Sequence, residues 1–141
     1  MKRLEFEVLI DAPREKVWDS LWLDKNYRDW TSVFCQGSYL EVDWTVGGKA
    51  RFLAPGESGM HSRIVRLEPG VQVWFEHLGE IQQGVDQPEA DWAGFQENYL
   101  LTDAPGGIKV SVTVDVTDDH LEYFGKTFPN GLQRLKQIAE S

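Results

Sequence analysis

Few side chains in this sequence could move a proton or hold a charge in apolar surroundings. Strands expected over Met60–Leu67 and Val71–Leu78 carry His61 and His77 on either side of a Glu68-Pro69-Gly70 turn. Counted from that turn the two histidines stand at similar distances, which predicts near cross-strand neighbours. Glu76 and Glu97 lie in the strands around them. Strand alternation puts Val71, Val73, Phe75 and His77 on one face, and Phe95, Glu97, Tyr99 and Leu101 on one face of a later strand. Each row is apolar and interrupted by one ionisable residue. A charge among apolar neighbours is costly unless paired, so Glu97 is the residue to follow. If His77 and Glu97 face one cavity, they form a proton-transfer pair; the alternative is that both meet solvent at strand ends.

Other chemistries find less support. Cys35 is the single cysteine, so there is no intrachain disulfide and no thiolate cluster, and a lone cysteine behind Phe34 reads as an ordinary small residue. No G-x-S-x-G elbow is present, and Gly47-Gly48-Lys49-Ala50 lacks the spacing of a phosphate-binding loop. Metal ligands show no short-range motif, so neither a metal nor a cofactor is expected. His120 reads as exposed. Trp92 stands out within a polar loop, as either a lid anchor or a contact for a partner.

The elements that position these residues follow from length and pattern. A chain of 141 residues with 41% hydrophobic content, six Trp, seven Phe and four Tyr is expected to form one folded domain over 1–141. The formal net charge of −9, with no basic block, disfavours nucleic acid and anionic membranes as partners. No run approaches a membrane span, and MKRLEFEVLI alternates too strictly for a secretory leader, so a cytoplasmic protein is expected.

Leu4, Phe6, Val8 and Ile10 mark a first strand, and Ala12-Pro13 opens a helix carrying Val17, Trp18, Leu21 and Trp22. A second short helix groups Tyr27, Trp30, Val33 and Phe34; these aromatic residues read as core. Strands follow at Tyr39–Thr45, closed by a tight hairpin at Gly47-Gly48, and at Lys49–Leu53. After the two histidine strands, Gln82–Ala93 reads as a long acidic loop and a candidate lid. Phe95–Thr102 and Ile108–Thr117 complete the strands. The last stretch repeats Leu121, Phe124, Phe128, Leu132, Leu135 and Ala139 at helical spacing, with Asp118 or Asp119 as cap, Glu122 as a capping-box partner, and Pro129 as a kink or new start. The fold class is therefore α+β, ordered β-α-α-β6-α, with a curved antiparallel sheet wrapped around a long C-terminal helix. A pocket is expected between sheet and helix, lined by Val73, Phe75, His77, Glu97, Tyr99, Leu101, Phe124, Phe128 and Leu132.

Ala12-Pro13 leading to Val17-Trp18, Trp30, Trp44 with Gly47-Gly48 and Phe52, the Glu68-Pro69-Gly70 turn, and Gly131-Leu132 leading to Leu135 together resemble the START-like superfamily with its helix-grip fold. Within it the chain is similar to the branch of the Hsp90 ATPase activator homologue domain. Two departures stand out: Leu132 occupies a position where the family often has Trp, which implies a larger cavity, and the segment Glu80–Asp91 exceeds a simple hairpin. The resemblance implies architecture more than activity. Binding of a small hydrophobic or aromatic ligand in the cavity is the leading reading. A cyclase or aromatase using His77, Glu97 and Tyr99 is the alternative, and an Hsp90 co-chaperone whose partner meets the acidic face and Trp92 is the third.

Overall fold

The computed structural model describes residues 1–141. The chain runs β1 (Lys2–Ile10), α1 (Arg14–Trp22), α2 (Asp24–Thr31), β2 (Tyr39–Val42), β3 (Lys49–Ala54), β4 (Ser58–Glu68), β5 (Gln72–Gln82), β6 (Val85–Asp86), β7 (Gln96–Ala104), β8 (Gly107–Val116) and α3 (Leu121–Glu140). All strand pairs are antiparallel, in the order β1-β8-β7-β5-β4-β3-β2, with β6 added to the end of β5. The open curved sheet and long terminal helix are those expected. The strand count differs by one: β5 runs to Gln82, reverses through Gln83 and Gly84, both at positive φ, and returns as β6. The expected loop thus begins as a two-residue hairpin, a turn that needs two such positions. Gly84 supplies one without strain; Gln83 in the other hides the signal from sequence.

Three local expectations change. The β2–β3 connection is a six-residue loop over 43–48, not a tight turn. Gly47 there has φ 84°, whereas Gly48 is needed for space, because a Cβ would collide with the Asp43 carbonyl oxygen. The start of α3 has no capping box; Asp118–His120 form a 3-10 turn in which Thr117 Oγ1 and His120 Nδ1 lie 2.8 Å apart. Pro129 lies inside α3, which continues through it. The Glu68-Pro69-Gly70 turn forms as expected, with the Val71 N–H donating to the Glu68 carbonyl at 2.9 Å and Gly70 at φ 79°.

The concave face holds the core. β1 and β8 contribute facing apolar pairs, Leu4 with Val114, Phe6 with Val112 and Val8 with Val110. Phe6 stacks on Phe128 of α3 at 5.1 Å. Leu132, Leu135 and Ala139 continue the buried stripe of α3. α1 and α2 cover the neighbouring end, where Val17, Leu21, Trp22 and Trp30 are buried and the Trp30 indole N–H donates to the Leu21 carbonyl at 3.0 Å. Two bulges, one at Val65 of β4 and one at Leu78 of β5, shift the register of this pair. Bulges bend a strand and raise its twist, which helps the sheet curl. No helix is long and apolar enough to cross a membrane.

Candidate functional site

A cavity of about 340 Å³ lies between the concave face and the first half of α3. Its floor is β5, β7 and β8. Its walls are Tyr27, Trp30 and Phe34 from α2 and the turn after it, Phe52 and Met60 from the β3–β4 hairpin, Trp92 and Phe95 from the segment before β7, and Phe124 and Phe128 from α3. Phe34 bridges these walls, with its ring 4.8 Å from Phe128 and 6.4 Å from Phe124.

One chain of polar groups crosses the floor. With Val65 of β4 outside the ladder, Ser62 stands opposite His77; with Leu78 of β5 outside it, His61 pairs with Gly79, so the two histidines are near neighbours across the strands. Ser62 Oγ lies 2.6 Å from His77 Nδ1, and His77 Nε2 lies 3.2 Å from Glu97 Oε1. The Tyr99 hydroxyl donates to the other oxygen of Glu97. Tyr99 follows Glu97 by two in β7, so one face of the strand presents both. Burial, and then the Glu97 charge, push the Tyr99 hydroxyl well above the ordinary phenol range. The same two causes raise Tyr27, so both phenols stay neutral and can donate.

Asp115 lines the cavity beside this chain. Burial works against its charge, but Arg3 donates to both its oxygens, at 2.8 and 3.2 Å, and the Gln96 N–H donates at 2.9 Å. Together these hold its carboxyl below the usual range.

The arrangement can place hydrogen-bonding groups against a ligand otherwise held by rings. It does not form a nucleophilic triad: Ser62 is buried and absent from the lining, and it meets the imidazole at Nδ1 while the carboxylate meets Nε2. No group of three or more His, Cys, Asp or Glu side chains could hold a metal ion. Cys35 is exposed, its thiol 3.7 Å from the Gln36 carbonyl oxygen.

Of the residues expected to line the pocket, His77, Glu97, Tyr99, Phe124 and Phe128 do so. Val73, Phe75, Leu101 and Leu132 do not; all four are closed in the core. Alternation selects their face correctly, but the face is longer than the hollow. Trp22 from α1 fills the other end, with its ring 5.6 Å from Phe75 and 4.8 Å from Tyr99. Leu132 in place of a Trp therefore does not border the cavity, and the enlargement expected there is not seen.

Tyr27, Phe52, Phe95, Asp115 and the exposed His120 were not expected in the lining, nor was Phe34, whose ring reads as core from helical spacing alone. Trp92 carried a legible signal, a large aromatic in a polar loop, and its ring borders the cavity. Its segment is tied to the sheet. The Gln87 N–H donates to the Glu80 carbonyl at 2.8 Å, Ala90 to Leu78 at 2.9 Å and Gly94 to His77 at 2.9 Å. His61 Nε2 lies 2.7 Å from the Gln87 carbonyl oxygen.

No curated protein matches the sequence. Among solved structures, the Aha1 dimer from Colwellia psychrerythraea superposes with TM-score 0.74 at 21% identity, covering 99% of this chain and 97% of that one. The AHSA1-like protein from Aeromonas hydrophila gives TM-score 0.70 at 19% identity, covering 99% and 92%. DynU16, from the dynemicin biosynthetic locus, gives 0.74 at 14%, and here the match covers 100% of this chain but 48% of the other. At such identities these likenesses establish the fold, a curved sheet gripping a terminal helix. The family of Activator of Hsp90 ATPase homolog 1-like proteins matches over residues 11–140, nearly the full length of the sequence, and the chain belongs to it.

Proposed function

We propose that the protein binds a small hydrophobic or aromatic ligand in the cavity between the sheet and the first half of α3. The observation that carries this reading is a hollow of about 340 Å³ inside an aromatic wall. Protein interiors are otherwise packed to crystal-like density, and ligand pockets are apolar hollows of this order with a few placed polar groups. His77, Glu97 and Tyr99 supply those groups here. The test is an amide NMR titration of the labelled protein with lipids, flavonoids and polyketide-like aromatics. Shifts gathered on Phe34, Trp92 and Phe124 are expected; unchanged spectra across the panel would remove the reading.

A second reading, an enzyme of the cyclase or aromatase kind, is favoured by the hydrogen-bonded chain from Ser62 to Tyr99 at the cavity floor. Glu97 would then take or give the proton. Turnover of an identified substrate that survives Glu97→Gln unchanged would exclude it. The family's name raises Hsp90 as a partner. Trp92, the aromatic best suited to anchor such a contact from the acidic segment, borders the cavity instead, which favours a ligand. A pull-down that retains Hsp90 at modest salt would reverse this order.

A further inference from the structure

This inference rests on the cavity-binding reading and concerns the charge of what is bound. None of the residues that line the cavity is lysine or arginine, whereas two are carboxylates, Glu97 and Asp115. Asp115 is matched from behind by Arg3, which takes both its oxygens. Glu97 has no such cation. Its partners are the Tyr99 hydroxyl and His77 Nε2. An ionised Glu97 can only accept, so Nε2 carries a hydrogen, and a neutral ring then accepts the Ser62 hydroxyl at Nδ1. The other imidazole at the cavity, His120, stands exposed at its edge with Nδ1 on Thr117. With the His77 ring in that state every polar atom of the series is satisfied by neutral groups, and no lysine or arginine of the lining compensates the charge of Glu97.

The walls favour the same sign of ligand. An aromatic ring presents a negative face, to which a cation within about 6 Å is attracted, and rings gathered around an ammonium group exploit this. Trp30, Phe34, Phe52, Trp92 and Phe124 provide such faces around the hollow. With its side chain only 15% exposed, Glu97 acts through a medium less polar than water, where a charge is felt more strongly. The net charge of −9 draws cations toward the whole surface. A fatty acid or other organic anion would meet like charge in the cavity and on approach. We propose that the cavity selects a small amphipathic cation, with an ammonium group beside Glu97 and an aromatic or alicyclic body among the rings.

The test compares three probes of nearly one shape, naphthylmethylamine, naphthylmethanol and naphthoate, by calorimetric titration of the full chain. The titrations are run at a pH of about 8, above the ordinary imidazole range. The ammonium probe is expected to bind at least about tenfold more tightly than the alcohol, with naphthoate weakest. In Glu97→Gln the ratio of ammonium to alcohol affinity should fall to about threefold, the preference that the ring attraction leaves. An alcohol as tight as the amine, a naphthoate tighter than either, or a ratio unchanged in Glu97→Gln would overturn the charge preference and leave cavity binding standing. If none of the three binds, the cavity reading fails as well.

Discussion

The two ends of the concave face are built from the same rows of the same strands, yet one is solid and the other hollow. At the solid end Phe75 meets Trp22 of α1, and Leu101 lies closed in the same core with Leu132, Leu135 and Ala139 of α3. At the hollow end Glu97 and His77 continue the rows, but the covering pieces are the turn after α2 and the segment before β7. These contribute single large rings, Phe34 and Trp92, with no element behind them to fill the space they bridge. α3 records the contrast along its own length: Leu135 is fully buried, whereas Phe124 is half-buried. Packing density is therefore set by what crosses the face, more than by the strands that make it.

That contrast predicts unequal costs for truncation, and these should be the largest effects. Leu135→Ala empties a closed site and should destabilise by about 2–5 kcal/mol in urea unfolding. Phe124→Ala removes a larger side chain from a wall that already borders a void, so less than about 2 kcal/mol is expected, together with loss of ligand binding. Equal costs at the two positions would mean that the hollow is packed in solution.

The polar chain marks the border between the ends, anchored on the solid side by Ser62. Ser62→Ala leaves His77 Nδ1 without its partner in a buried place, at about 1–3 kcal/mol. The same substitution should shift the imidazole resonances of His77 while leaving those of His120 in place. An unmoved His77 signal would show that the border does not depend on its inner anchor.

A smaller effect on stability with a larger one on binding is expected at Gly131. A Cβ there would lie 2.8 Å from Cε2 of Phe34, whose ring borders the cavity. Ala gains up to about 1 kcal/mol over Gly in a helix, which offsets much of the crowding. Gly131→Ala should therefore change unfolding free energy by less than about 1 kcal/mol while weakening the binding of any cavity ligand. Unaltered affinity would place the functional space away from Phe34.

The same contrast explains what could be read from the chain. Period-two rows in β5, β7 and β8 and the helical stripe of α3 gave the face of the core residues they carry, because alternation is a local property. Which part of that face stays empty depends on Trp22 arriving from α1, a contact with no local signal, so Val73, Phe75, Leu101 and Leu132 were expected in the lining and lie in the core. His61 and His77 were expected as near cross-strand neighbours and are so, but the residue directly opposite His77 is Ser62, because Val65 falls outside the ladder and shifts it by one residue. A bulge without glycine or proline leaves no mark in sequence, so Ser62 was not foreseen. Trp92 was legible because an aromatic in a polar loop is out of place unless it has somewhere to go.

Acid titration gives the finest test, since both ends carry carboxylates held below their ordinary range, and Asp115 and Asp29 differ strongly in burial. At the hollow end Asp115 is lowered by Arg3 and the Gln96 N–H against the pull of burial. At the solid end the hydrogen bonds of Arg134, with its charge, lower Asp29 and tie α2 to α3 at 2.8 Å on each oxygen. A carboxyl whose folded pKa is depressed contributes stability that is present above its unfolded value, near about 3.9, and is lost as pH falls through the folded value. Both pairs should therefore steepen the loss of stability below about pH 4. They should not do so equally. The Asp29 side chain is 40% exposed and that of Asp115 only 5%, so water screens the first pair more. Asp29→Asn should alter the acid slope by less than about 1 kcal/mol in total, the usual range for a surface pair, and Asp115→Asn should flatten it more. Urea midpoints measured from neutral pH down to about 2 would separate them. If Asp29→Asn flattens the slope as much, acid sensitivity belongs to the surface in general, and the hollow end is no more dependent on its buried charge than the solid end is on its exposed one.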